Sequence, residues 1–492
     1  MNICRDKSHS NPASLTVDVG AYPIERRYPL SHPFESFGSG WGSVRIDPEL
    51  AHTWTELPPV IKTELRYPVS PHSFVYFRLG LRRDLAAWHG DAYGLNLPLA
   101  AKEVDLNEPS LGYFHAENES FAFTVGRFQV HWSPSPDFGL ALSHAVPYHN
   151  AAEFALKTPY VKYRFLISSL NPWLEGTPSG DSSGTDYPVG SEEYRQRHYA
   201  DQNQANNANK RVYDDRIKTL IAHRLEAYVG PATMGITETE IIGGKVPDFR
   251  DGNPFAFFHN DFKDGYTNIA LSFDGSVRLP LGLRVLGELL LDDVIYSETE
   301  SNGTSASLTG YLAGISHAFC ARGWFVSQSL QVVRTDPYLY GYLQPLNTMA
   351  SRHILTSNFI GPDGDKVVDR VTDKFVVDYP LGYLRGGEAL DFWYRMEAVR
   401  GRDLEISLTV GVLSKGEVDL DTPYESYYTS GHDSPSGIVE REMRFRLQGL
   451  YRIAHGFEIH AGLGWQSIRN EEHTADRDAD RGQVALGTSW TY

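Results

Sequence analysis

The chain has 492 residues, a net charge of -17, 12% aromatics and a mean hydropathy of -0.36. The acidic balance argues against nucleic acid as a partner, because phosphate binding needs clustered Lys and Arg. Two cysteines, Cys4 and Cys320, exclude a disulfide framework or cysteine metal cage, and no run of about 20 apolar residues supplies a membrane-spanning helix. A membrane is not thereby excluded, since a barrel strand needs only about 9–11 residues, half of them polar.

The first residues, Met1 to Asp6, have no apolar core of a signal peptide. For an exported protein the expectation is then a trimmed N-terminus or a start assigned too late. Residues 1–72 carry many prolines and weak periodicity, and read as an irregular periplasmic segment. From residue 73 onward the parity of a strand recurs. Val75, Phe77, Leu79 and Leu81 alternate with Tyr76, Arg78, Gly80 and Arg82. Val161, Tyr163, Phe165 and Ile167 alternate with Lys162, Arg164 and Ser168, and Ile269, Leu271 and Phe273 with Asn268, Ser272 and Asp274. Leu283, Val285, Leu289 and Leu291 alternate with Arg284, Glu288 and Asp292. The same rhythm runs through 404–412, 443–453 and 457–466, and closes on Val484, Leu486, Trp490 and Tyr492.

Short connections near 117–120, 230–231, 280–282, 321–323, 400–403 and 454–456 alternate with long ones, the widest at 169–216. Short turns on one rim and long loops on the other are the layout of outer-membrane barrels; a Greek-key sandwich would mix lengths on both ends. The expected fold is all-β: a single closed antiparallel transmembrane β-barrel over 73–492, of about 16–18 strands, with short periplasmic turns and long extracellular loops.

The polar parity carries full charges of both signs. Arg78, Arg82, Arg127, Arg164, Arg284, Glu288, Glu405, Arg444 and Arg446 are expected to line the lumen. Such charges either lock to each other or set the selectivity of a solute path. Catalytic patterns are thin: there is no G-x-S-x-G elbow and no H-E-x-x-H helix. No enzyme activity, metal or cofactor is therefore expected. Asp292-Asp293, Asp363-Gly364-Asp365 and Asp476 to Asp480 are acidic enough to attract a cation, yet none fits the EF-hand spacing. Trp132 and Trp173 stand in loop contexts, where indole faces can stack on sugar rings or simply pack. His259, in an aromatic loop, could assist binding or pack likewise.

Several segments resemble the capsule-assembly outer-membrane proteins of the Wzi type. Phe123 to Ser143, with Gly126-Arg127, Trp132 and Gly139 to Ser143, is similar to that family's strand, Gly-Arg, Trp, Gly-Pro and Leu-Leu-Ser, though Ser133 replaces a commoner Gly. Ala222 to Glu226 followed by Gly235 to Glu238, and Gly287 to Asp293, resemble two more of its strands. Leu381-Gly382 and Gly361 to Asp365 are similar to its Leu-Gly and Gly-Pro-Asp elements. Residues 1–72 depart from that family's periplasmic helical portion. The resemblance implies an eighteen-stranded barrel with a blocked lumen, acting as a lectin that fastens exported polysaccharide to the cell surface. The expected function is accordingly a non-enzymatic, monomeric protein of a Gram-negative outer membrane, in contact with its lipid. It would bind surface or capsular polysaccharide through loop residues Trp132, Trp173, His259, Asp363 and Asp365. The alternative is a porin or solute channel with a charged lumen.

Overall fold

The protein is described by a computed structural model covering residues 14–25, 34–36, 43–89, 96–105, 107, 109–171, 217–255, 258, 267–293, 308–342, 347–355, 374–420, 422, 434–454 and 456–491. The chain opens with β1 (Ser14–Glu25), then the short strands β2 (Phe34–Ser36) and β3 (Ser43–Ile46), helix α1 (Pro48–Glu56), and the hairpin β4 (Ile61–Ser70) and β5 (Ser73–Leu81). After the short helix α2 (Leu85–His89) come β6 (Leu111–Glu117), β7 (Phe121–Phe128), β8 (His149–Lys157) and β9 (Val161–Leu170). Next are β10 (Lys218–Val229), β11 (Ala232–Gly243), β12 (Thr267–Arg278), β13 (Leu283–Asp293), β14 (Leu308–Ala321) and β15 (Trp324–Thr335). The remainder is β16 (Ala350–Leu355), β17 (Lys374–Pro380), β18 (Ala389–Arg400), β19 (Leu404–Lys415), β20 (Glu440–Ala454), β21 (Phe457–Arg469) and β22 (Ala479–Thr491).

Eighteen strands form one large antiparallel sheet in which chain neighbours pair from β4 to β15 and from β18 to β22. β15 pairs with β18, and β1 pairs with both β22 and β4. Consecutive strands alternate between tight turns, as at Gly230-Pro231 and Arg322-Gly323, and long segments at the other rim, as the sequence rhythm implies. Arg322, Gly323 and Gly230 sit at positive φ, which is how such short connections reverse the chain.

The expectation of a single closed barrel over 73–492 is corrected. β1 and β4 bring residues 14–25 and 61–70 into the large sheet, so the sheet does not begin at residue 73. A second sheet, ordered β16-β17-β3-β2, stands apart from it, and its β17–β3 pairing is parallel. Its strands come from two insertions of the long-connection rim, which a parity reading of isolated segments cannot pair. What stands is a large antiparallel sheet with a smaller mixed one beside it.

The two faces of the large sheet differ. One is apolar yet bare: Val285, Tyr311 and Ile315 retain 43%, 48% and 45% of their exposure, and Phe445, Leu463, Trp465, Leu486 and Trp490 are likewise exposed. A contiguous apolar surface of this kind needs an apolar neighbour. The other face is covered by the insertions. There Leu220, Ala222, Leu286, Leu290, Leu312, Val333 and Leu413 pack against Trp54, Trp88, Trp132, Leu140, Tyr340, Tyr379 and Tyr383 in one core. Each buried aromatic withdraws roughly 150–250 Å² from water, so this core fixes the insertions onto the sheet.

Two close approaches show how tightly they are fixed. A Cβ at Gly382 would lie 1.8 Å from the Leu140 carbonyl oxygen, so only glycine lets the two segments cross there. Tyr340 holds a left-handed φ of 73°, disfavoured for an L-residue. Its N–H donates to Asp292 at 3.1 Å, and its hydroxyl donates to the Leu140 carbonyl at 2.7 Å and accepts from the Tyr383 N–H at 3.0 Å.

Candidate functional site

The covered face is not sealed throughout. Between α1, the segment Pro136–Ala145, the segment Gly382–Arg385 and the polar faces of β18, β19 and β20 lies a cavity of about 550 Å³. Strand register builds its wall in rows. Trp393, Gly411, Arg444 and Gln466 face one another across β18, β19, β20 and β21; Arg395, Thr409, Arg446 and Gly464 form the next row; Glu397, Ser407, Gln448 and Gly462 the next. Gly411 is needed in its row, because a Cβ would sit 2.8 Å from the Trp393 ring.

α1 closes one side. Asp47 caps it, its Oδ1 accepting from the N–H groups of Glu49 (2.8 Å) and Leu50 (3.0 Å), with Pro48 starting the helix. The helix buries Leu50, Ala51 and Trp54 in the core, and Trp54 Nε1 donates to the Arg83 carbonyl at 3.0 Å. Glu49 instead meets the cavity, where it pairs with Arg385 and, at 3.1 Å, with Arg444. Glu442 joins the same group, 3.0 Å from each of these two arginines. Burial works against the Arg385 charge, but Glu49 and Glu442 beside it hold its pKa above the ordinary value. Burial also pushes the Tyr383 hydroxyl's pKa well above normal, and that hydroxyl donates to Asp391 at 2.7 Å. Arg395 is held by Asp137 at 2.7 Å and by Glu397.

Of the residues expected to line a lumen, Glu405, Arg444 and Arg446 do come together on this cavity. The others are engaged elsewhere. Arg78 pairs with Glu64 at 2.9 Å; Arg82 lies over the Trp54 ring and donates to the Thr55 carbonyl at 3.1 Å. Arg127 binds Asn150 and the Pro109 carbonyl and lies 4.1 Å from the Tyr148 ring centroid. Arg164 grips Glu153 through two bonds, and Arg284 binds Ser276 and the Pro134 carbonyl. Glu288 is buried, accepting from Ser133 Oγ (2.7 Å) and from the N–H groups of Leu140 and Ala141 (both 3.0 Å).

Trp132, expected to stack on sugar, is 1% exposed, with the Arg164 guanidinium 4.7 Å from its ring centroid. It is core, not a binding platform. Trp173, His259, Asp363 and Asp365 lie outside the described residues. In the acidic loop, Asp478 is taken by Arg469 at 2.8 Å and by the Asn470 N–H at 3.1 Å. His460 contacts Ser489 at 2.9 Å, but Glu458 approaches the same Nε2, so it does not orient the ring as a triad acid would.

The sequence reading missed Glu49, Arg385, Asp137, Asp391, Arg395 and Glu442. The strand parity that singled out Arg444 extends to Glu442, and the Asp47-Pro48 start could have signalled α1. Nothing local marks Arg385 or Asp137.

No protein-family model and no curated protein matches the chain. Among solved structures it is similar to Wzi of Escherichia coli, described as an outer membrane protein involved in group 1 capsule assembly and a carbohydrate binding β-barrel. The two are 12% identical over 98% of this chain and 84% of that one, with a TM-score of 0.51. It is also similar to OprD of Pseudomonas aeruginosa (8% identity, 98% and 95% covered, TM-score 0.41) and to the outer membrane protein opdK of the same organism (9%, 98% and 98%, 0.41). At such identities the likeness is one of fold: the chain resembles outer-membrane β-barrel proteins as a general class.

Proposed function

We propose that this is a non-enzymatic protein of a Gram-negative outer membrane that admits small polar solutes into the charged cavity beside β18–β20. The cavity carries the reading. Five carboxylates and four arginines line about 550 Å³ of space that remains accessible on a face otherwise packed by core residues. Mixed fixed charges in a confined space exchange water for polar solutes and repel apolar ones. The bare apolar face supports contact with lipid. Liposome swelling with the purified protein tests the reading: swelling in small sugars or organic acids is expected. Its absence for every solute below the size of a disaccharide would sink it.

A second reading, attachment of surface polysaccharide, is favoured by the similarity to a carbohydrate binding protein. It loses Trp132 as a contact, since that side chain is buried. Retention of the protein on immobilised capsular glycan, with no solute-dependent swelling, would favour this reading over the first.

A further inference from the structure

Four arginines reach the cavity, and three are committed. Arg385 and Arg444 are held by Glu49 and Glu442, and Arg395 by Asp137 and Glu397. Arg446 differs. Among the described residues it has no hydrogen bond and no ion pair, although it sits half-buried on the wall.

Its cross-strand neighbours in the register are uncharged, and the nearest charged residues there, Arg444 on its own strand and Arg395 two strands away in its row, are cations. Thr409 lies directly across on β19, and Gln448 and Ser407 form the next row, their side-chain oxygens 3.5 Å apart. On the β21 side the opposing residues are Gly464 and Gly462, so no side chain fills the space beside the guanidinium there. A guanidinium stays charged at any ordinary pH and presents a planar fork of donors that matches carboxylate or phosphate oxygens. An uncommitted one, in a confined cavity next to hydroxyl and amide groups, has the chemistry of an anion anchor flanked by hydroxyl-binding groups.

Resting on the solute-admitting reading above, we propose that Arg446, with Thr409 and Gln448, binds the oxyanion end of a small hydroxylated solute such as a sugar acid or sugar phosphate. The carboxylates of the wall outnumber its three committed arginines, so any preference for an anion resides in Arg446.

The test is calorimetric titration of the detergent-solubilised protein with gluconate, glucose 6-phosphate and glucose. Gluconate or glucose 6-phosphate should bind about tenfold or more tightly than glucose, consistent with one charge-assisted fork. Whichever of the two binds tighter identifies carboxylate or phosphate as the group recognised. Arg446→Gln should bring both down to the level of glucose, whereas Arg446→Lys should keep part of the preference, since the charge remains but the fork is lost. Equal binding of all three by the unaltered protein, or an undiminished preference in Arg446→Gln, overturns the site. Glucose-driven swelling that persists in either case shows that the site has failed and the solute reading has not. Absence of swelling by every solute is the separate failure of that reading. Heat-modified gel migration confirms that each variant is folded.

Discussion

Arg224 and Asp274 stand two strands apart, on β10 and β12, yet their side chains meet, Nη2 to Oδ1 at 2.9 Å, across Gly235 of the intervening β11. Any side chain at residue 235 would occupy the crossing: a Cβ there lies 2.3 Å from Arg224 Nη2 and 2.7 Å from Asp274 Oδ2. Gly235→Val should therefore separate a buried pair and lower stability by about 3–5 kcal/mol. Urea midpoints of refolding in detergent measure this. A shift equivalent to less than about 0.5 kcal/mol would mean that the pair re-forms around the new side chain at no cost.

Glu288 ties the segment 133–141 to β13 through Ser133 Oγ and two backbone N–H groups. Glu288→Ala leaves both N–H groups buried without an acceptor, at about 1–3 kcal/mol each. Hydrogen exchange at Leu140 and Ala141 should then quicken well beyond exchange in β13 itself. Glu288→Gln, which keeps one carbonyl oxygen, should show a smaller effect.

Trp132 is a core residue, and its replacement should behave as one. Trp132→Ala is expected to cost roughly 3–5 kcal/mol through the cavity left under Arg164. Per folded molecule, retention on immobilised glycan should not change. A selective loss of retention at normal stability would return Trp132 to the binding surface.

His353, on β16 of the small sheet, is buried between Tyr148 and Tyr379, with ring centroids 4.4 and 5.1 Å away, and burial pushes its pKa from 6.5 down to about 3. Above pH 6.5 the ring is neutral in both the folded and unfolded chain, so its contribution is constant. As pH falls below 6.5 the unfolded chain takes up a proton that the folded one refuses, and stability declines by up to about 1.4 kcal/mol per pH unit until near pH 3. His353→Gln should flatten that part of the pH profile; an unchanged slope between pH 6 and 4 would assign it to other groups.

Strand parity was legible because an alternation written in Leu463, Trp465, Leu486 and Trp490 needs no partner to be seen. Tight turns were legible for the same reason, through the glycines and prolines that reverse the chain locally. The covered face was not. Leu286 and Leu290 share parity with Glu288, and their burial depends on loop aromatics more than 40 residues away in either direction along the chain. The charges were visible as charges, but pairing Glu49 with Arg444 requires knowing that a helix from the first 60 residues rests on β20. That helix is not legible in the sequence, since nine residues give too short a period to stand out among prolines. The small mixed sheet was illegible for a related reason: β3 and β17 are over 300 residues apart, and parallel pairing leaves no turn between them.

The pairing of β1 with β22 places Asp18 opposite Thr491. Contacts between residues so distant in sequence close a very long loop of chain and form slowly. Until the final strand arrives, β1 and β21 each expose an unpaired row of backbone donors and acceptors, which is a template for association with other chains. The order of synthesis thus becomes a hazard for this protein: β1 is made long before β22, and their pairing waits on everything between them. A holding factor that shields the waiting edges would be most needed in that interval.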